Sequence, residues 1–299
     1  MIFLAATNFI LGFVAEKSAG DPASSPKATM ILWLGTGLLG VVAALVFKAS
    51  GRGFTGLPER APLLLPLAAG VTLALGMLLL KAGLAANPLA KGPIVAVTSS
   101  NSLVVVLLAW IFVREKLSPG QWAGLLVIVA GIVLVSLGGG GRANRTAIAF
   151  ACLAMLLFGA TNFILKLAGR RGCDSLTVAV VLWLTVGGCG VLAVAGYRLV
   201  YSRFPVLERP GLSWLALLAG IFLALGMLGI KKAVTRGPAG PATAVSGSNA
   251  ILVSVLDLLL LGHGLPALKT AGMLTAVAGI AVLALSGPLK KRPAAGQGE

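Results

Sequence analysis

Few side chains that could do chemistry occur inside the long apolar segments of this chain, and most of them are amides and hydroxyls. Two Ser-Asn motifs follow Gly-Pro pairs, and helices rising 1.5 Å per residue would carry them roughly 10–15 Å into the membrane. Two further amides stand in Thr-Asn-Phe-Ile-Leu motifs. The candidate polar residues are Asn8, Ser100, Asn101, Asn162, Ser248 and Asn249.

Amide groups in a lipid environment are costly unless they are hydrogen-bonded, so these side chains must face protein or a cavity. One interpretation is structural, because Ser and Asn can join neighbouring helices by hydrogen bonds. The other is a binding site for a small solute, which is favoured by asparagines at equivalent depths in two parts of the chain. We predict that the six residues line one central cavity, and interhelical packing is the open alternative.

Charged groups inside the apolar segments are rarer. Asp257 is the acidic residue that falls well inside such a segment, and a buried carboxylate is a candidate for proton coupling. Its equivalent earlier in the chain is Ala109, so it has no repeated partner. Lys81, Lys231 and Lys232 lie near segment ends, where we expect their ammonium groups to reach the membrane surface. Anion binding is the alternative for these lysines.

Other kinds of chemistry find little support in the sequence. There is one histidine, and the three cysteines have no metal-binding spacing. Motifs of zinc proteases, serine hydrolases and phosphate-binding loops are missing. We therefore expect no metal site, no cofactor and no catalytic site. The competing hypothesis is an integral membrane protein without transport activity, either an intramembrane enzyme or a scaffold.

Composition places the chain among membrane proteins. Of its 299 residues, 58% are hydrophobic and 11% are charged, with a mean hydropathy of +1.01. Soluble domains have about 25% charged residues. The net charge of +16 comes from basic residues scattered through short loops, a pattern that orients a membrane protein rather than binding nucleic acid. We expect a multi-pass protein of the cytoplasmic (inner) membrane whose partner is the lipid bilayer.

Ten apolar segments are predicted as transmembrane helices. They lie at roughly 1–15, 29–48, 62–83, 92–113, 119–137, 146–168, 177–198, 211–232, 238–261 and 266–286. The first would reach only about 22 Å, so we expect the beginning of this helix to be missing from the chain. Residues 139–145 form a linker, and residues 287–299 form a polar tail.

An internal repeat divides the chain into a first half, 1–138, and a second half, 146–286. Thr7-Asn8-Phe9-Ile10-Leu11 returns as Thr161-Asn162-Phe163-Ile164-Leu165, and other matches keep an offset between 148 and 154. Each half contains five spans, so the second half enters the membrane in the opposite orientation. The predicted fold is an all-α integral membrane protein with ten transmembrane helices as two inverted five-helix repeats.

A family resemblance emerges near the end of the first half. The run from Leu107 to Leu117, which contains Arg114-Glu115-Lys116-Leu117, and the following Gln121-Trp122-Ala123-Gly124 resemble the end of an EamA domain. EamA domains belong to the drug/metabolite transporter superfamily, and both Asn-Phe motifs resemble their first helix. In the second half, Gly262-His263-Gly264-Leu265 replaces the Arg-Glu-Lys-Leu motif, so no symmetric role is expected for Glu115.

The resemblance implies a secondary transporter of a small metabolite or drug that works by alternating access, as an exporter. Its partner would be a small-molecule solute, and a homodimer is left open. If both termini are cytoplasmic, 14 of the 24 Lys and Arg residues fall on the cytoplasmic side. Because cytoplasmic loops are enriched in basic residues, we predict that orientation.

Overall fold

A computed structural model describes residues 2–18, 24–51, 63–114, 118–137, 142–236, 249–262, 264 and 266–286. All regular structure in these ranges is helical. The α-helices are α1 Ile2–Lys17, α2 Ser24–Ala49, α3 Leu64–Ala86, α4 Lys91–Ser99, α5 Asn101–Val113, α6 Pro119–Leu137, α7 Arg142–Arg170, α8 Ser175–Tyr201, α9 Pro210–Arg236, α10 Asn249–Leu261 and α11 Ala267–Leu285. A 3₁₀ turn, Pro88–Ala90, precedes α4.

The helices follow the predicted segments closely. In lipid, the backbone N–H and C=O groups of a long apolar run can only be satisfied by hydrogen bonds within the chain, and a helix provides these. Seven segments of the described chain are long and apolar enough to cross a membrane: α2, α3, the stretch Pro88–Phe112, α7, α8, α9 and α11. α6 and α10 are shorter apolar helices, and α1 has 16 residues. The ninth predicted segment is described only from Asn249 onward.

The fourth predicted span consists of two helices that meet at Ser100, although the sequence predicts one continuous helix. Ser100 ends α4, and its backbone N–H donates to the carbonyls of both Ala96 and Val97 at 3.1 Å. α5 then begins at Asn101. The polar run Thr98-Ser99-Ser100-Asn101-Ser102 therefore lies at a junction between two short helices within one span.

Glycines let α2 and α8 cross at very short distance. A Cβ atom placed on Gly37 would lie 2.5 Å from the Cα of Gly187, and the reverse contact would be 2.4 Å. Gly40 faces Trp183, whereas Gly190 faces Trp33. Moving forward along α2 thus means moving backward along α8, so the two helices run antiparallel.

The last helix of each predicted half makes a similar pair. Gly124 on α6 approaches Leu283 on α11, Gly131 approaches Ala276, and Gly272 approaches Val135. These small residues allow close backbone approach. Increasing residue numbers on α6 face decreasing residue numbers on α11, so this pair is antiparallel as well.

Two more pairs hold the remaining long helices around the centre. α3 packs on α7, where Gly76 makes room for the ring of Phe158, and α9 packs on α1, where Gly226 makes room for Leu4. The buried side chains between these helices form the main core, which includes Trp33 and Trp183. Both tryptophans are nearly fully buried there.

Candidate functional site

A central cavity lies among α1, α3, α4, α5, α7, α9 and α10. The lining residues are Leu4, Thr7, Asn8, Leu73, Met77, Leu80, Thr98, Ser99, Asn101, Phe158, Thr161, Asn162, Leu223, Met227, Ile230 and Asn249. No charged side chain is among these described lining residues.

The four asparagines proposed from the sequence all line this one cavity. The side-chain amide Nδ2 of Asn162 donates to Oδ1 of Asn101 at 3.2 Å, which joins α7 to α5. The Oγ of Ser99 donates to Oδ1 of Asn249 at 3.1 Å, which joins α4 to α10. Asn8 completes the set from α1. The buried Oδ1 of Asn162 accepts no hydrogen bond from the described residues.

The predicted serines have different outcomes. Ser100 is fully buried, is not a lining residue, and donates its hydroxyl to the carbonyl of Ala96 one turn earlier. Its neighbour Ser99 lines the cavity instead. Thr98, Ser99 and Asn101 line the cavity, whereas the hydroxyl of Ser100 is turned back onto its own helix. Ser248 lies outside the described residues.

The cavity lining is nearly symmetric in sequence terms. Fourteen of the sixteen described lining residues form pairs at the repeat offset of 148–154. The pairs are Leu4 with Phe158, Thr7 with Thr161, Asn8 with Asn162, Leu73 with Leu223, Met77 with Met227, Leu80 with Ile230, and Asn101 with Asn249. Corresponding positions of the two predicted halves thus contribute in equal number to one space.

The threonines of the lining are held by main-chain groups. Thr7 donates to the carbonyl of Ala219 on α9 at 3.1 Å, and Thr161 donates to the carbonyl of Leu157 at 2.9 Å. Thr98 donates within its own helix to Ile94. Their hydroxyl hydrogens are therefore engaged, and the freer polar groups of the cavity are the amides.

Asp257 does not line the cavity but belongs to a buried ion cluster. The Nζ of Lys91 lies 2.6 Å from Oδ1 of Asp257 and 2.7 Å from Oε2 of Glu16. The Lys91 side chain is 0% exposed, that of Asp257 is 2% exposed, and that of Glu16 is 19% exposed. The cluster joins α4, α10 and α1 by charge-assisted hydrogen bonds, which are stronger than neutral ones.

The expectation that Lys81 and Lys231 reach the membrane surface is wrong. Both are buried, at 0% and 2% exposure. The Nζ of Lys81 donates to the carbonyl of Leu11 on α1, and the Nζ of Lys231 donates to the carbonyl of Leu165 on α7. The side chains run inward to main-chain acceptors at equivalent places of the two repeats. Lys232, by contrast, is exposed.

Comparison with known proteins identifies the first half of the chain. Residues 1–137 match the EamA-like transporter family. A crystal structure described only as that of a protein is similar to this chain with a TM-score of 0.58, at 20% sequence identity. The similarity covers 94% of this chain and 96% of the other. No curated protein matches the sequence.

The match confirms the recognition made from the Arg-Glu-Lys-Leu and Gln-Trp motifs. The similarity to the solved structure extends over nearly the whole chain, so both halves share the fold of that structure. At this level of identity the similarity concerns the fold alone. Residues 115–117 and His263, which distinguish the ends of the two halves, lie outside the described residues.

Two members of the ion cluster were not predicted from the sequence. Glu16 and Lys91 stand at the ends of predicted spans, where charges are usually solvated, and the sequence offers no direct sign that they meet Asp257. The structure shows that α1 leaves room for the lysine at Gly12, where a Cβ would lie 2.5 Å from Cδ of Lys91. Within the described ranges, no group of three or more His, Cys, Asp or Glu residues could hold a metal ion.

Proposed function

We propose that this EamA-family membrane protein is a secondary transporter that carries a small metabolite or drug across the cytoplasmic membrane by alternating access. The observation that carries the proposal is the central cavity, whose amides and apolar walls come in equivalent pairs from the two halves. A site built equally from two halves is what a transporter needs, because either half can then open it to its own side.

We propose ten transmembrane spans arranged as two inverted repeats. The antiparallel crossings of α2 with α8 and of α6 with α11 support inversion, because each crossing joins corresponding helices of the two halves. The hydrogen bonds from Lys81 to α1 and from Lys231 to α7 support it independently. In this arrangement α4 and α5 together make one span, and α10 belongs to the span predicted at 238–261.

The chemistry of the lining favours an uncharged or weakly charged solute with both polar and apolar parts. Amides of Asn8, Asn101, Asn162 and Asn249 can donate and accept hydrogen bonds. Leu, Met and Phe side chains supply apolar surface around them. Because a buried amide oxygen such as Oδ1 of Asn162 is costly without a donor, a solute N–H or O–H group is a suitable partner. Outward transport is proposed from the family resemblance.

Asp257 is proposed as the proton-coupling residue, with Ser248 retained as a candidate of the solute site. Coupling is supported by the burial of Asp257 and by its contact with Lys91, since ionisable residues within membranes commonly mark proton pathways. In this proposal a pH gradient across the membrane drives solute accumulation. Asp257→Asn would then leave downhill exchange of solute active while abolishing accumulation driven by the gradient.

The test is solute flux into proteoliposomes containing the purified protein. A panel of radiolabelled amino acids, nucleosides and cationic dyes is offered with and without a pH gradient. We expect uptake of at least one class to exceed that of protein-free liposomes at least tenfold and to saturate. Absence of flux for every class, with binding or turnover of a membrane substrate instead, would favour a scaffold or an intramembrane enzyme.

A further inference from the structure

We propose that Glu16, Lys91 and Asp257 form a gate that closes one end of the central cavity. The inference rests on the proposed transport function and extends it, because it assigns a role to a cluster that does not touch the cavity. Lys91 is the central member, since its ammonium group contacts both carboxylates. Through it, three helices that line the cavity are joined at one place.

The cluster lies at a constant distance from the cavity along all three helices. Glu16 follows the lining residue Asn8 by eight residues on α1, and Asp257 follows Asn249 by eight residues on α10. Lys91 precedes Ser99 by eight residues on α4. Eight residues of helix span about 12 Å. The three charges therefore meet about 12 Å from the polar lining, on one side of it.

An apolar layer fills the space between the lining and the cluster. Its buried members include Val95 and Ala96 on α4, Ala250 and Val253 on α10, and Met273 on α11. The four on α4 and α10 lie between the lining residues and the charges along their helices. Solute and water are thus excluded first by this layer and then by the ion cluster.

Glycines bring the three helices close enough for this closure. A Cβ atom on Gly12 would lie 2.5 Å from Cδ of Lys91, and a Cβ on Gly92 would lie 3.0 Å from Cβ of Ser254. The lysine side chain passes over the first glycine, while the N-terminal turn of α4 rests on α10 through the second. The end of the cavity is therefore closed by tight backbone approach as well as by charge.

The repeat does not reproduce the cluster. Ala109 corresponds to Asp257, and Arg170 corresponds to Glu16, so neither carboxylate recurs. Such a gate would therefore act at one end, the end remote from Ile2 on α1 and from Leu285 on α11. Breaking a buried ion pair leaves uncompensated charges at a cost of several kcal/mol unless water enters. Opening this end therefore requires hydration of all three groups, which favours the closed state.

The gate is tested by measuring how fast a cavity thiol reacts from each side of the membrane. Cys152, Cys173 and Cys189 are replaced by alanine, and Ser99→Cys is introduced as the reporter. A membrane-impermeant, positively charged methanethiosulfonate is added to vesicles of either orientation. We expect Lys91→Met to raise the reaction rate from the side of the cluster at least tenfold. Lys231→Met, another buried lysine outside the cluster, should leave that rate unchanged.

A second variant covers the event that Lys91→Met does not fold, as judged by size-exclusion chromatography. Glu16→Gln removes the most exposed charge and nearly preserves shape, and we expect it to raise the rate about threefold. Unchanged rates in every folded cluster variant would overturn the gate. Solute flux distinguishes the two proposals. Faster labelling without flux would support the gate and reject transport. Flux with unchanged labelling would support transport and reject the gate.

Discussion

At the scale of single residues, the amides of the cavity occupy places where a solute could replace their present partners. Asn101 accepts from Asn162, and Asn249 accepts from Ser99, both at hydrogen-bond distances slightly above 3 Å. Neutral hydrogen bonds contribute about 1 kcal/mol each. The protein partners can therefore be exchanged for a solute group at little net cost, which suits a site that must bind and then release.

Asn101→Ala and Asn249→Ala should therefore each weaken solute binding. Loss of one hydrogen bond of about 1 kcal/mol corresponds to roughly a fivefold rise in the half-saturating solute concentration. The measurement is initial flux against solute concentration, at equal amounts of folded protein. Asn87→Ala, at the end of α3 and away from the lining, is the matched control. Equal flux by all three variants would leave only a packing role for the two amides.

The adjacent serines separate a lining role from a structural one. Ser99 lines the cavity, whereas Ser100 is buried against its own helix. We expect Ser99→Ala to raise the half-saturating solute concentration more than Ser100→Ala does, by at least threefold. The same flux assay decides this. A larger effect at Ser100 would move the solute site to the other face of α4.

Single residues were only partly predictable from sequence. The asparagines could be found because amides are rare in apolar runs and recur at a fixed offset. Glu16 and Lys91 could not be found, since their burial depends on how α1, α4 and α10 meet. Lys91 is separated from Glu16 by 75 positions and from Asp257 by 166, and no local sequence pattern predicts contacts over such separations. Lys81 was misjudged for the same reason: its acceptor is a carbonyl of another helix.

At the scale of elements, glycine at a helix crossing matters only where it faces the partner. Gly187 meets Gly37, whereas a Cβ atom placed on the neighbouring Gly188 would have no contact within 4 Å. Gly187→Val should therefore lower the Tm by about 5 °C or more, because overpacking costs about 1–3 kcal/mol. Gly188→Val carries the same change in helix propensity without the clash.

Thermal unfolding in detergent, followed by circular dichroism, measures both variants. The Tm of Gly188→Val should lie within about 2 °C of the parent protein. A Tm equal for both substitutions would show that α2 and α8 are not held together at this crossing. Gly37→Val should reproduce the effect of Gly187→Val, since it fills the same contact from the other side.

Helix positions were predictable, whereas the break in the fourth span was not. Apolar runs of about 20 residues have one stable conformation in lipid, so their existence follows from composition. The run from Thr98 to Ser102 contains residues that tolerate a helix interior as well as a helix end. Whether the helix continues there depends on tertiary contacts such as the one between Ser99 and Asn249.

At the scale of the whole molecule, charge and symmetry make one prediction about orientation. With both termini in the cytoplasm, 14 of the 24 basic residues lie on the cytoplasmic side. Alkaline phosphatase, which is active only outside the cytoplasm, should be silent when fused after Glu299. The same enzyme fused within the loop after Tyr201 should be active. Activity of the first fusion together with silence of the second would reverse the orientation.

The repeat offset predicts which helices of the two halves correspond but not which helices pack against each other. In the structure, corresponding helices cross, as α2 and α8 do at Gly37 and Gly187, and equal positions in the two halves line one cavity. The offset alone is compatible with two independent bundles side by side. Deciding between these arrangements needs the side chains that fit together at each crossing, which composition does not specify.

The interruption at Ser100 has a mechanical consequence. α4 and α5 are two short rods joined at a single residue, and the lining residues Ser99 and Asn101 lie on either side of the joint. One rod ends at Lys91 in the ion cluster, and the other contacts α7 through Asn101. A tilt of α4 therefore need not tilt α5. In the proposed transport cycle this span would bend at Ser100, next to the residues proposed to bind the solute.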